Sequence, residues 1–251
     1  MQPTAKNEPT SPPPYPETAD IETSSDGYAN RFAGPAGEWM LSVQEHGTLR
    51  LLHGCPTGSV LDVGGGHGQL TRPLCREGIP VHVLGSDPSC AHRISDLIEQ
   101  EQCAFTVGNV IDLPFPDRSF DTVISFRLVT HCSQWPKLIA ELCRVARHSV
   151  IVDYPTSQSL NAIAPLLFGA KKKLEGDTRT WTLFRHHQID AAFAAGNFSR
   201  TQRFAQFFLP MVLHRAVQSR SLSAALEALP RLLGLTRLWG SPIIARYDRD
   251  E

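Results

Sequence analysis

Short apolar segments alternate with amphipathic segments through the middle of the chain. Five apolar runs predict β-strands, at residues 59–63, 81–85, 103–107, 120–126 and 149–153. Apolar residues at helical spacing predict helices between most of them, at residues 69–76, 91–100 and 135–146. Strands separated by helices of this length form βαβ units, which predicts a parallel sheet covered on both faces. Ligands of such sheets bind at the carboxyl ends of the strands.

The start of the chain lacks the pattern of a folded segment. Residues 1–25 are rich in Pro, Thr, Ser and Glu and contain few core-forming residues, which predicts a disordered tail. A proline-rich ligand for a partner domain is the alternative interpretation. Helical spacing of apolar residues begins near Gly37 and ends at Gly54. We therefore expect a single domain over residues 26–251, whose first part, 26–54, forms a lid segment and a helix.

The last third of the chain does not continue the regular alternation of strands and helices that the core at residues 55–153 shows. Residues 154–251 predict a helix at 159–174, a helix at 186–195, a strand-like run at 203–213, a helix at 222–238 broken at Pro230, and a strand at 243–247. We expect these elements to form the substrate side of the domain.

A glycine-rich turn follows the first predicted strand. Residues 60–71 read Val-Leu-Asp-Val-Gly-Gly-Gly-His-Gly-Gln-Leu-Thr. Glycine permits positive φ and close approach of a ligand, and the free N–H groups of the next helix favour an electron-rich ligand group. The dinucleotide fingerprint G-x-G-x-x-G fails in both registers, because its last position falls on Gln69 or on Thr71. The spacing acid-x-G-x-G-x-G, from Asp62 to Gly68, fits instead.

This spacing resembles the first motif of class I S-adenosylmethionine-dependent methyltransferases. Asp87 closes the second predicted strand, nineteen positions after Gly68, where an acid can accept hydrogen bonds from both hydroxyls of a ribose. Capping of the following helix is the alternative interpretation of Asp87. Residues 108–124, Gly-Asn-Val-Ile-Asp-Leu-Pro-Phe-Pro-Asp-Arg-Ser-Phe-Asp-Thr-Val-Ile, closely resemble the third-strand and fourth-strand motifs of the ubiquinone and menaquinone biosynthesis methyltransferases. The resemblance covers roughly residues 28–153.

The resemblance implies the class I methyltransferase fold, a Rossmann-like doubly wound α/β sheet of seven strands whose last strand is antiparallel. It also implies S-adenosyl-L-methionine as the cofactor. In this architecture the segment after the fifth strand selects the substrate. The predicted helix at 222–238 replaces a short hairpin of the family and forms a helical insert in the C-terminal third. We expect it to cover the substrate pocket or to form a subunit contact.

The resemblance also implies a set of cofactor-binding residues. The family usually has Asp after the glycine of the third-strand motif, and Asn109 in its place can still accept from the adenine amino group through its carbonyl. The N–H of Val110 meets a ring nitrogen. Arg31, in a segment that resembles the lid, could pair with the methionine carboxylate, although an exposed surface position is the alternative. The implied residues are Tyr28, Arg31, Asp62, Gly64, Gly65, Gly66, Gly68, Asp87, Pro88, Asn109, Val110, Ser125, Phe126 and Arg127.

Methyl transfer requires alignment of donor and acceptor, and proton removal only for some acceptors. The candidate bases are His131, after the fourth strand, and Tyr154, after the fifth, but a lone His is more often structural. We expect transfer to a small, partly apolar molecule through oxygen, nitrogen or carbon. Methylation of RNA or protein is one alternative, and a non-catalytic cofactor-binding scaffold or accessory subunit is another.

Charge and cysteine content restrict the partners that we expect the protein to bind and the compartment in which we expect it. The formal net charge is −1, which argues against general nucleic-acid binding, although residues 154–251 contain thirteen basic and seven acidic residues. The six cysteines form no C-x-x-C pair and no zinc-ligand spacing, so we expect no metal and reduced thiols. The chain has neither a signal-peptide pattern nor a membrane span, which predicts a cytoplasmic protein. The partner that the resemblance implies is a small-molecule substrate, and a homodimer stays an open alternative.

Overall fold

The computed structural model describes residues 15–160 and 181–251 of the chain. The first fourteen residues of the predicted tail and most of the predicted helix at 159–174 lie outside these ranges. The described strands are β1 (Val60–Val63), β2 (Val81–Gly85), β3 (Cys103–Val107), β4 (Phe120–Ser125), β5 (Ala146–Tyr154), β6 (Phe198–Phe207) and β7 (Ser241–Arg249). The first five lie where the apolar runs predict them.

The seven strands form one sheet in the order β3-β2-β1-β4-β5-β7-β6. Strands β1 to β5 are parallel to one another, whereas β7 runs antiparallel to both of its neighbours, β5 and β6. The prediction of a doubly wound α/β sheet of seven strands with an antiparallel last strand is confirmed. The strand order reverses between β1 and β4, so the ligand crevice of this architecture lies at the carboxyl ends of these two strands.

Helices cover both faces of the sheet. The α-helices of the described residues are α1 (Ala19–Thr23), α2 (Asp26–Ala29), α3 (Gly34–Leu52), α4 (Thr71–Arg76), α5 (Ser95–Glu99), α6 (Trp135–Val145), α7 (His186–Ala194), α8 (Met211–Val217), α9 (Arg220–Leu232) and α10 (Leu235–Trp239). Short 3-10 turns occur at Asn30–Phe32, Gly65–His67 and Pro88–Ile94. The residues before α5 therefore form a 3-10 turn where the sequence predicts an α-helix from residue 91.

Strand β1 contributes side chains to apolar layers on both faces of the sheet. Leu61 and Val63 join the layer that contains the buried residues of α6, whereas Val60 joins the layer that contains the buried ends of α3 and α4. A sheet that is buried on both faces needs strands that are apolar at nearly every position. This explains why β1 to β5 appear in the sequence as continuous apolar runs.

The end of the predicted tail is folded. Residues 19–23 form α1, in which Asp20 and Thr23 are buried. Thr23 donates a hydrogen bond to the carbonyl of Asp20, and the Asp20 carboxylate accepts hydrogen bonds from the distant residue Ser86. Because α1 is stabilised by tertiary contacts of polar groups, the composition of residues 1–25 gives no sign of it.

The C-terminal third differs from the sequence prediction at two boundaries. Strand β6 begins five residues before the predicted strand-like run, and Pro210 separates it from α8, so that run is half strand and half helix. The predicted helix at 222–238 breaks at Gly234, which has a φ of 74°, and not at Pro230, which lies inside α9. Glycine takes the left-handed conformation that commonly ends a helix without steric strain.

Candidate functional site

The turn after β1 has a backbone that requires glycine at both ends. Gly64 and Gly68 have φ angles of 77° and 71°, on either side of the 3-10 turn Gly65–His67. The N–H of Gly64 donates to the carbonyl of Leu84 at 2.8 Å, which fixes the turn to the end of β2. A side chain at position 64 or 68 would therefore strain the backbone in a position that cannot relax.

The two middle glycines serve the packing of the chain itself. A Cβ atom on Gly65 would overlap the carboxyl group of Asp62, and a Cβ atom on Gly66 would overlap the carbonyl of Cys90. These glycines are therefore explained without a ligand. Evidence for a ligand at the turn has to come from other groups.

Asp62 is a buried carboxyl group beneath the turn. Its Oδ2 accepts a hydrogen bond from Thr71 Oγ1 at 2.9 Å, whereas its Oδ1 has no partner in the described part of the chain. Burial raises the pKa of Asp62 to about 7. A buried acceptor without a donor destabilises a protein, so its presence here indicates a place for a polar ligand.

His67 offers a buried donor in the same turn. Its Nδ1 accepts from the N–H of Gln69 at 3.1 Å, so the proton of the neutral ring lies on Nε2. This nitrogen forms no hydrogen bond of good geometry among the described residues, and the backbone carbonyl of Phe126 is its nearest acceptor. Burial, together with the positive charges of Arg127 and Arg93, lowers the pKa of His67 to about 3. The ring is therefore a neutral donor at physiological pH.

Arg127 places a buried guanidinium just after β4. Its backbone has a φ of 60°, and its N–H donates to Oδ1 of Asp153 at 2.6 Å. Its Nη2 donates to Oε1 of Gln44 at 3.0 Å, and the guanidinium lies 4.1 Å from the centroid of the Phe32 ring. Its Nη1 is buried with no acceptor in the described structure. Burial raises the pKa of Asp153 to about 6.

These unpaired groups fit a zwitterionic nucleoside. His67 and Arg127 provide donors for a carboxylate, and Asp62 provides an acceptor for an ammonium group. The methionine part of S-adenosylmethionine carries both groups. Sequence reasoning includes Asp62 and Arg127 in the site but misses the side chain of His67, because nothing in the sequence shows which ring nitrogen is unpaired.

The two side chains predicted to bind the ribose and the adenine each accept a hydrogen bond from the chain itself. Oδ1 of Asp87 accepts from the N–H of Ser89 at 2.8 Å, so Asp87 does cap the following 3-10 turn. This hydrogen bond also lowers the pKa of Asp87. Oδ1 of Asn109 accepts from the N–H of Ile111 at 3.2 Å. The ribose and adenine roles of the two residues remain predictions, as do the roles of their neighbours, the exposed Pro88 and the buried Val110.

The N-terminal residues divide between core and surface. Tyr28 and Phe32 are buried and pack with Phe207 in a small apolar cluster. Arg31 lies on the surface, where its side chain is 42% exposed and its Nη2 is 3.5 Å from a carboxylate oxygen of Glu22. The structure therefore places Arg127, and not Arg31, as the buried arginine beside the glycine turn.

Helix α1 lies over the glycine turn. The carboxylate of Asp20 accepts hydrogen bonds from the N–H of Ser86 at 2.6 Å and from its Oγ at 2.5 Å, and the Cβ of Asp20 is 3.5 Å from the Cβ position of Gly64. Further along, Glu17 Oε1 accepts from the N–H of Gln134 at 2.9 Å. Residues 17–24 thus cover the carboxyl ends of the central strands.

The remaining predicted residues lie apart from the unpaired groups or point into the core. Ser125 Oγ donates to the carbonyl of Val63, and Phe126 belongs to the apolar core. Tyr154 is fully buried, with its hydroxyl 2.9 Å from Nδ1 of His186, and burial raises its pKa. His131 is half-buried. The base roles of Tyr154 and His131 stay predictions.

The comparisons with known proteins agree with this geometry. A family profile described as a methyltransferase domain matches residues 61–152, the segment from β1 to β5 that carries the glycine turn. This segment of the chain therefore resembles the class I S-adenosylmethionine-dependent methyltransferases. The cofactor of this family is S-adenosyl-L-methionine.

Three relatives illustrate the range of the similarity. The malonyl-[acyl-carrier protein] O-methyltransferase of Serratia marcescens is 31% identical over 55% of this chain, which spans only about half (56%) of that relative's length. A ubiquinone biosynthesis O-methyltransferase of Rhizobium etli is 22% identical over 75% of this chain and 88% of its own. The structure of the Synechocystis magnesium protoporphyrin IX methyltransferase with bound SAH superimposes with a TM-score of 0.63 at 14% identity, covering 92% of this chain and 98% of its own.

Proposed function

We propose that this methyltransferase transfers a methyl group from S-adenosylmethionine to a small, partly apolar acceptor. The observation that carries the proposal is the set of buried, unpaired polar atoms of Asp62, His67 and Arg127 around the glycine turn. The names of the relatives support a small acceptor, and two of them are O-methyltransferases, which favours oxygen as the methylated atom.

The residues of the chain bind and orient the cofactor. Arg127 and His67 donate to its carboxylate, and Asp62 accepts from its ammonium group. Asp87 and Asn109 recognise its ribose and adenine. The bound cofactor supplies a methyl group that is activated by a positively charged sulfur. Alignment of donor and acceptor in such a site contributes on the order of 7–11 kcal/mol to the rate enhancement.

Helix α1 controls access to the turn in this proposal. Because Asp20 lies directly against Gly64, a ligand contacts the turn only after residues 17–24 move away. Once the cofactor is bound, the same residues, together with Tyr28 and Phe32, exclude water from the transferred methyl group. For an acidic acceptor, His131 takes up the proton that leaves it, or Tyr154 accepts that proton while passing its own hydroxyl proton to Nδ1 of His186.

Calorimetric titration of the full chain with S-adenosylmethionine tests the cofactor half of the proposal. Saturable binding to one site is the expected result, and lack of binding contradicts it. Transfer of a labelled methyl group to a panel of carboxylic acids, phenols and amines tests the second half. Binding without transfer to any of them would favour a cofactor-binding scaffold.

A further inference from the structure

Helix α9 buries polar residues and exposes leucines. Its buried residues are Ser223 and Glu227. The Glu227 carboxylate accepts hydrogen bonds from the N–H groups of Phe208 and Leu209, at 2.9 Å and 2.8 Å, and lies 3.2 Å from Nε2 of the buried His214. An ordinary surface helix buries its apolar face. The contacts of Glu227 therefore fix α9 in an orientation that presents its apolar face to the exterior.

Seven of the nine large apolar side chains that are exposed in the described residues lie between Leu222 and Trp239, and we call these seven the leucine surface. Their exposed fractions extend from 40% at Leu226 to 83% at Leu232. Its members are Leu222, Leu226, Leu229, Leu232 and Leu233 on and just after α9, and Leu238 and Trp239 on α10. Leu222, Leu226 and Leu229 follow helical spacing and so lie on one face of α9. Grouped apolar exposure of this kind marks an interaction site.

The insert, which in the structure is the segment 208–240 between β6 and β7, has exposed charges of one sign. All of its residues are described, and the exposed charged residues are Arg215, Arg220, Arg231 and Arg237. The one acid in this range, Glu227, is buried. The leucine surface therefore belongs to a segment whose exposed charges are all positive.

The insert starts and ends beside the carboxyl end of β5, the same end of the sheet that holds the candidate site. It begins after the end of β6 at Phe207, and it ends at the start of β7, where Ile243 pairs with Tyr154 at the end of β5. Trp39 of α3 packs against Phe207 and His214, with its ring centroid 5.4 Å and 5.1 Å from theirs, and so connects the insert to α3.

We propose that the leucine surface docks on an anionic lipid bilayer. Helices that lie in a bilayer interface insert leucine and tryptophan among the acyl chains and place arginine near anionic headgroups. Leucine, which supplies six of the seven members of the leucine surface, is under-represented in the hot spots of interfaces between proteins. A second copy of the chain would present a segment whose exposed charges are also all positive, which disfavours a dimer through this surface.

The docking is peripheral. No helix in the described ranges has the length and apolar content needed to cross a bilayer. Since the insert adjoins the edge of the sheet that carries the candidate site, docking would deliver amphiphilic acceptors there. This last consequence, unlike the docking itself, rests on the proposed function.

Vesicle flotation of the full chain tests the docking. We expect the protein to float with vesicles of equal parts phosphatidylglycerol and phosphatidylcholine at low salt, and much less with phosphatidylcholine alone. The double variant Leu226→Gln, Leu229→Gln should reduce the bound fraction by about 10-fold or more, because it removes two inserted side chains. The matched control Ser221→Gln, Ala228→Gln adds the same two amides at exposed positions of α9 and should float like the wild type.

Four outcomes overturn the proposal. Wild-type protein that floats with neither vesicle has no bilayer affinity, and equal flotation with both vesicles excludes anionic recognition. A dimer in light scattering that the double leucine variant abolishes would assign the surface to a second copy. As a test that leaves the leucines in place, lipids with brominated chains should quench the fluorescence of the wild type, and Trp239→Phe should lose most of this quenching. Equal quenching of both proteins also counts against the docking.

Discussion

The glycine-turn region and the C-terminal insert show opposite departures from an ordinary globular surface. Around the glycine turn, ionisable groups are buried and partly unpaired, as in Asp62 and Arg127. In the insert, leucines such as Leu229 are exposed although the same helix buries Glu227. Both departures destabilise an isolated protein. Each therefore indicates a partner of matching chemistry, a small polar ligand at the turn and an apolar surface at the insert.

The largest expected effect concerns the glycine-turn region, where the free energy of unfolding depends on pH through Asp62. Asp62 has a pKa of about 7, above the unfolded value of 3.8, so its contribution to stability is fully present below about pH 4 and is lost as the pH rises through 7. Asp62→Asn removes this loss. We expect the variant to gain stability relative to the wild type between pH 4 and 8, by about 2–4 kcal/mol in the free energy of unfolding.

Denaturant unfolding without ligand, at several pH values, measures this difference. Comparison with the wild type at each pH cancels the opposite trend of His67, whose lowered pKa makes stability rise with pH. A difference that stays constant from pH 4 to 8 would show that Asp62 does not carry the buried charge.

The second effect concerns the insert. Glu227→Ala leaves the N–H groups of Phe208 and Leu209 without their acceptor, so we expect a loss of about 2–3 kcal/mol in the free energy of unfolding. Arg220→Ala, at an exposed position of the same helix, is the control and should change stability by less than about 0.5 kcal/mol. Equal losses in the two variants would contradict the account of how α9 is oriented.

The smallest effect on stability concerns residues 17–24, which lie over the glycine turn. Asp20→Ala removes the acceptor of two hydrogen bonds from Ser86, and we expect a loss of about 1–2 kcal/mol together with faster proteolysis within residues 15–25. Glu22→Ala changes a partly exposed carboxylate on the same helix and should leave the proteolysis rate close to that of the wild type. If the two variants are cleaved at the same rate, Asp20 does not hold α1 in place.

The sequence predicts the glycine-turn region better than the insert for a physical reason. Strands buried on both faces need apolar residues at nearly every position, so their bounds are visible locally, and β2 matches the prediction to the residue. The edge strand β3, which is only partly buried, also matches its predicted bounds. The local sequence does not predict helix α1, because its stability comes from a contact between Asp20 and Ser86, which are 66 positions apart. Likewise, helical spacing predicts α9 but not its orientation, which depends on the tertiary contacts of Glu227.

The choice between two arginines shows the same limit within the site. A family resemblance suggests Arg31 for the methionine carboxylate, whereas the structure buries Arg127 beside the turn and leaves Arg31 on the surface. Burial of a guanidinium depends on what packs around it, here the ring of Phe32 and the carboxamide of Gln44. No local pattern in the sequence encodes that environment.

Titration of S-adenosylmethionine into Arg127→Met and Arg31→Met tests the central claim, that buried unpaired groups at the glycine turn bind the cofactor. Methionine keeps much of the apolar contact of arginine but cannot donate a hydrogen bond. We expect Arg127→Met to weaken binding about 10–100-fold, and Arg31→Met to weaken it less than about 3-fold. Cofactor affinity that survives in Arg127→Met, or that falls only in Arg31→Met, would contradict the claim.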